Sequence, residues 1–373
     1  MDSHSQPAES GQQPPSKPVD LAISASRHLP EWLARERLSL GFSTYQAGKM
    51  FLIGLQPDGR LSVYERTFNR CMGLHASADA QTIWMASLYQ LWRMENYVPP
   101  GQATPDGYDR LYVPTVGYTT GDIDTHDIVV GPDGQPVFCA TAFNCLATTS
   151  HTHSFKPVWK PEFISGTLAT LPPEDRCHLN GLAGDPETGA PAYVTAVSRS
   201  DVSDGWRDRR VGGGVLIDVR ANGGAVVAEN LSMPHSPRVH PDYPGRVWLL
   251  NAGTGFFGYV DLDSGAFTDV AFCPGFTRGM AFAGKHAVVG LSAARENRTF
   301  RGMPLDENLA SRDAEPRCAL HAINLETGGT DHWLRVEGVV RELYDVIALR
   351  GVARPMLLGF KTDEIRRMLR IEA

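Results

Sequence analysis

Six short apolar segments recur along the chain, and each opens on a polar or charged residue. They read RCMGL from Arg70, HDIVV from His126, HLNGL from His178, HSPRV from His235, RGMAF from Arg278 and ELYDV from Glu342. Successive copies begin 43 to 64 residues apart. The average, about 54, suits a four-stranded sheet with generous loops in each repeat. Most copies run through a turn into a second apolar strand, as in IVVGPDGQPVFCAT and MAFAGKHAVVGLS. Other stretches, LIDVRANG at 216–223, VDLDSG at 260–265 and INLETG at 323–328, end in the Asp, Asn and Gly that tight turns require. The 37 glycines and 26 prolines fall between short apolar runs rather than in one tract, as expected of many strands joined by turns. The repeat predicts an all-β, single six-bladed β-propeller.

The chain ends predict how the ring closes. Too little sequence follows Glu342 for a whole blade, whereas FSTYQ, KMFLIGL and LSVYERTF precede Arg70 without an inner strand of their own. N-terminal strands therefore complete the blade that Glu342 opens, which removes an exposed sheet edge. Residues 1–25, rich in Pro, Ser and Gln, are expected to be a disordered tail, and 26–373 the propeller domain. Within 27–38, Leu29, Trp32, Leu33 and Leu38 fall at near-helical spacing and predict a short amphipathic helix packed on the main body.

Composition narrows the function. The net charge is -7 and no Lys/Arg stripe occurs, which argues against nucleic acid and anionic membranes as partners. No apolar run approaches the roughly 18–20 residues of a membrane span, and the N-terminus lacks the pattern of a secretion signal. The six cysteines, Cys71, Cys139, Cys145, Cys177, Cys273 and Cys318, contain no CxxC pair and read as reduced thiols of a cytoplasmic protein. No GxSxG, HExxH or phosphate-cradling GxxxxGK[ST] is present, and VGGGV at 211–215 precedes a strand instead of following one.

In a propeller the first residues of the inner strands cluster at one mouth of the central channel. Arg70, His126, His178, His235, Arg278 and Glu342 are expected there, while the residues four positions on are apolar in every copy. Three neutral imidazoles make a metal site for His126, His178 and His235, with a divalent transition metal (zinc, iron or copper) as cofactor. Glu342 is then a fourth ligand or a general base, and Arg70 and Arg278 hold a substrate carboxylate or developing negative charge. Tyr344 and Asn180 share the inward parity of Glu342 and His178 and form a second layer that orients the ligands. His151 and His153, in a long loop, are candidates for covering the mouth, and Trp206, beside Arg209 and Arg210, for a substrate lid; an ordinary surface loop is the other reading of both. Strand alternation turns His75, His240, Cys71 and Cys177 away from the axis, into structural roles.

Several segments, FSTYQAGKMFLIG, ERTFNRCMGL, DTHDIVVGPDG, FNCLATTS with HSFKPVWKPEFIS, EDRCHLNGLA, SMPHSPR and FTRGMAF, resemble a bacterial family of uncharacterised propeller-like proteins. That family is associated with tetratricopeptide-repeat proteins, so the resemblance implies a partner of that kind. The three-histidine constellation by itself resembles the propeller of peptidyl-hydroxyglycine amidating lyase. Together these readings lead to a metal-dependent enzyme, lyase, hydrolytic or oxidative, acting on a small or peptide-like anionic substrate. The alternative is a non-catalytic propeller that binds a protein partner, with the ring as a structural plug.

Overall fold

The computed structural model describes residues 21–221, 223–293, 302–369 and 371. Their strands form six sheets, each with a four-stranded antiparallel core. The inner strands are Leu74–Ala76, Thr125–Val130, Leu179–Gly184, Pro234–Val239, Phe276–Ala283 and Val346–Arg350, one for each of blades one to six. Each packs against the inner strands on both sides, and the sixth packs against the first, so the ring is closed. This is the six-bladed propeller that the repeat predicts.

Closure follows the expected route. The inner strand Val346–Arg350 pairs with Leu38–Thr44, setting Phe42 opposite Val346 and Leu38 opposite Arg350. Lys49–Leu55 and Leu61–Thr67 then complete blade six from the N-terminal side. Among the described residues the six sheets are separate ladders, and side-chain burial packs each blade against the next. Between blades six and one, Met50, Leu52, Leu74, Met85, Tyr112 and Ile347 form one such apolar layer. Each large side chain fully buried this way contributes about 1.5–3 kcal/mol.

Of the tail expected over 1–25, residues 1–20 lie outside the described residues, whereas Ala22–Ala25 form a strand against Thr330–Glu337 at the outer edge of blade five. Ile23 and Ala25 alternate inward and pack on the core, which is why this short stretch is ordered. At the other end, Pro355–Leu357 runs parallel to Arg110–Thr119 on blade one. The two terminal strands thus add a fifth strand to each neighbour of blade six, bracketing the blade where the ring closes.

The predicted helix is present as Leu29–Glu36, with Leu29, Trp32 and Leu33 buried between blades five and six. It stops sooner than its apolar spacing suggests because Arg37 turns left-handed (φ 50°) and releases Leu38 into the closing strand. A second short helix, Pro304–Ser311, lies between the second and third strands of blade five and was not anticipated. Among the described residues no helix is long and apolar enough to cross a membrane.

Candidate functional site

The chain enters the inner strands through sharp bends. Arg70 and His178 are themselves left-handed (φ 50° and 53°), whereas in blades two and four the bend falls at Asp124 and Met233 (φ 55° and 49°), two residues before His126 and His235. The copies are therefore not in simple register. Asp127 and Asp345 show the correct match between blades two and six. One carboxylate oxygen of each accepts the N–H of the next residue, Ile128 or Val346, and the other accepts an N–H of the following blade, Leu182 or Leu74. The residue equivalent to His126 is then Tyr344, and Glu342 stands two positions earlier than the sequence alignment had it.

The three histidines do meet. The ring centroid of His126 lies 4.8 Å from His178, nearly perpendicular, and 5.8 Å from His235 at 30°. Tyr344 is 5.4 Å from His126, in keeping with its corrected place. The Arg278 guanidinium lies 4.9 Å from the Tyr344 ring centroid. Tyr45 stacks on the other side of the cluster, 5.6 Å from Tyr344, and carries Arg70 at 5.4 Å. Arg70 is paired with Asp122. Glu342, 2% exposed, accepts the backbone N–H of Gln46 at 2.5 Å.

Hydrogen bonds set the tautomers of two rings. Nδ1 of His126 lies 2.8 Å from the Asp124 carbonyl and 2.9 Å from the Thr141 hydroxyl, which itself donates to Leu179 O. A carbonyl only accepts, so Nδ1 carries the proton and Nε2 the lone pair. In the same way His178 donates from Nδ1 to Asp175 at 2.6 Å, and Asp175 also accepts the His178 backbone N–H. Burial pushes His126 down to about 4, opposed by Asp124 and helped by the Arg278 charge, so the ring is neutral. Burial alone would raise Asp175, but the adjoining His178 outweighs it and holds the carboxyl below its ordinary value. Nε2 of His126 and of His178 makes no hydrogen bond among the described residues. Although the three rings are neighbours, no group of three or more His, Cys, Asp or Glu side chains among the described residues is arranged to hold a metal ion.

The remaining candidates divide. Trp206, expected in a lid, is buried in the turn Gly205–Arg209 and stacks on His178 at 4.2 Å. Asn180 is buried beside the ring; its oxygen accepts the Thr195 hydroxyl, and its Nδ2 has no partner among the described residues. His151 and His153 are exposed, and neither contacts the cluster: His151 leans on Tyr118 (6.2 Å) and His153 bonds Thr152. Cys71 and Cys177 are buried, and burial pushes the Cys71 thiol up to about 12 and raises Cys177 well above its ordinary value, so both remain protonated. His240 packs on Tyr243 and Phe282, a structural place.

Sequence reasoning missed a second charged group deeper on the axis. Arg238 of blade four bonds Asp127 of blade two through both terminal nitrogens (2.8 and 3.2 Å) and lies 3.6 Å from Asp345 of blade six. It also donates to the carbonyls of Leu182 in blade three and Met280 in blade five, while Asp345 takes the Leu74 N–H of blade one. One guanidinium and two carboxylates thus tie all six blades. The available signal was the repeated Asp before an apolar run, in DIVV and DVIAL. Beyond Arg238 the channel widens into a cavity of about 360 Å³ at the opposite mouth, which His75 lines, so His75 does not turn away from the axis as expected.

Several solved structures are similar to this chain. A chain of a nidogen/laminin complex is 11% identical, with 84% of this chain and 99% of that chain covered and a TM-score of 0.51. A protein of unknown function from Bacteroides caccae (11% identity; 84% and 99% covered; TM-score 0.46) and virginiamycin B lyase from Staphylococcus aureus (10%; 85% and 99%; 0.39) are also similar to it. No curated protein sequence matches the chain. The model of the family described as a domain of unknown function, DUF4915, matches residues 27–358, and this propeller belongs to that family.

Proposed function

We propose that the histidine mouth is the active site of a cytoplasmic enzyme acting on a small or peptide-like substrate with an anionic group. The observation that carries the reading is the His178–Asp175 pair: a carboxylate 2.6 Å from Nδ1 holds the imidazole so that the Nε2 lone pair is presented beside His126. An imidazole oriented this way is equipped to take and return a proton. Arg278 and Arg70 supply cationic charge for the anionic group, Glu342 a second carboxylate, and Tyr344 a hydroxyl. Six unpaired cysteines fit a reducing compartment.

A metal-dependent version of this reading has an observation in its favour. His126 and His178 both hold Nδ1 on an oxygen acceptor and leave the lone pair on Nε2, the tautomer that a hydrogen-bonding neighbour imposes on a metal-ligating histidine. Zinc, iron or copper on His126, His178 and His235 requires these rings to shift relative to one another, and supplies a Lewis acid or a redox centre when bound.

Elemental analysis of protein purified without a metal-affinity tag, beside His178→Ala, decides between the versions. Near-stoichiometric metal that disappears in the variant supports the metalloenzyme; none in either protein after reconstitution overturns it. The enzyme reading itself is tested on a panel of anionic peptides, esters and lactones. Turnover that falls at least a hundredfold in both His178→Ala and Asp175→Asn supports it. Turnover that survives both, or none across the panel, turns the reading to a propeller that docks a protein partner such as a tetratricopeptide-repeat protein.

A further inference from the structure

We propose that the axial funnel on the face opposite the histidines is a separate binding site for a small carboxylate with an apolar body. Its volume, about 360 Å³, lies in the range of small-molecule sites. Five blades line it with an apolar residue of the inner strand or its entry: Leu74, Ile128, Leu182, Met280 and Val346. Blade four contributes Arg238 instead. Arg350 adds a second guanidinium to the lining and Asp185 one carboxylate. An apolar collar carrying cationic side chains is the pattern that seats an amphipathic anion: the walls take the body and a cation takes the head.

The disposition of Arg238 supports this role. Its side chain is 20% exposed, whereas Asp127 and Asp345 are each 3% exposed, so the cation reaches the cavity and its carboxylate partners sit behind it. A guanidinium has five N–H groups. Nε donates to Met280 O, Nη1 to Asp127, Leu182 O and Pro237 O, and Nη2 to the second oxygen of Asp127. The remaining Nη2 hydrogen has only Asp345 at 3.6 Å, beyond hydrogen-bond reach. The exposed edge of the guanidinium is the part that a ligand oxygen reaches. His75 on the same wall is held neutral by burial and the Arg238 charge, which push it down to about 4, so it adds polar surface to the wall and no charge.

The funnel and the histidine mouth are distinct sites, and the experiment separates them. The full chain is titrated calorimetrically with 3-phenylpropanoate, 3-phenylpropan-1-ol and 3-phenylpropylamine. The carboxylate is expected to bind one to one, the alcohol at least tenfold more weakly, and the amine not at all. Ala78, exposed on the funnel rim, gives a plug that leaves the core untouched. Ala78→Trp should weaken carboxylate binding at least tenfold at an unchanged melting temperature, while His178→Ala should bind as the wild type does. No binding in the millimolar range, equal binding of carboxylate and alcohol, or binding that survives Ala78→Trp overturns the proposal.

Discussion

Two polar clusters share the axis of this propeller and are built on opposite principles. Around Arg238 the polar groups mainly serve the protein itself, with only an edge of the guanidinium exposed: both carboxylates accept backbone N–H groups from two blades, and the guanidinium reaches three others. At the histidine mouth, His126 and His178 use one ring nitrogen to fix orientation and leave the other uncommitted. A buried network whose members bond mainly one another specifies the fold. Groups oriented by the protein but not consumed by it are poised for chemistry. The contrast assigns stability to the deep cluster and reactivity to the mouth.

The sharpest way to break this contrast is Arg238→Leu. It strands the buried Asp127 carboxylate and removes the charge beside Asp345, and a loss of about 3–5 kcal/mol is expected. Urea unfolding measures it; an unmoved midpoint would make the network a spectator. His178→Ala is the matched experiment at the mouth and should cost less, about 1–2 kcal/mol, while removing metal or turnover. A collapse of the fold equal to that of Arg238→Leu would instead make the histidines a structural plug.

The pH dependence of stability probes the deep cluster directly. Burial, reinforced by the Asp127 charge and opposed by Arg238, pushes Asp345 up to about 8. The folded protein then holds a proton that the unfolded chain releases near its ordinary carboxyl value. Stability from this group is full below that value and is lost as pH rises through about 8. Melting temperatures across this range should fall with pH, and Asp345→Asn should flatten the slope; a slope that persists would place the proton elsewhere. The smallest effect is expected from Thr141→Val, which removes the hydroxyl between His126 Nδ1 and Leu179 O. A cost of about 1 kcal/mol in unfolding is anticipated, and a larger one would show that the mouth, too, carries stability.

Much of the architecture was legible because its causes are local. Short apolar runs at a repeating spacing, with Gly and Asn or Asp at turns, specify strands and hairpins without reference to distant residues. The gathering of His126, His178 and His235 was legible for the same reason, since each opens an inner strand of consecutive blades. Less of the site was legible in detail. Glu342 was matched to His126 where Tyr344 belongs, because left-handed bends at Arg70 and His178 fall at a different offset from those at Asp124 and Met233. A non-glycine residue with positive φ leaves no fixed mark in the sequence, and one such bend shifts inward parity. The loop histidines His151 and His153 had no periodicity to place them.

The sequence by itself determined the six repeats, the inward row of polar residues and the closure of blade six by N-terminal strands, because each follows from hydrophobic period and from the need to pair a sheet edge. Only the tertiary structure decided that Arg238 would meet Asp127 and Asp345, that Asp175 would orient His178, and that Trp206 would stack on His178. Those partners lie on different blades or on irregular loops. Which charge meets which is settled by the diameter of the ring and by the bends that lead into it, neither of which a linear pattern encodes.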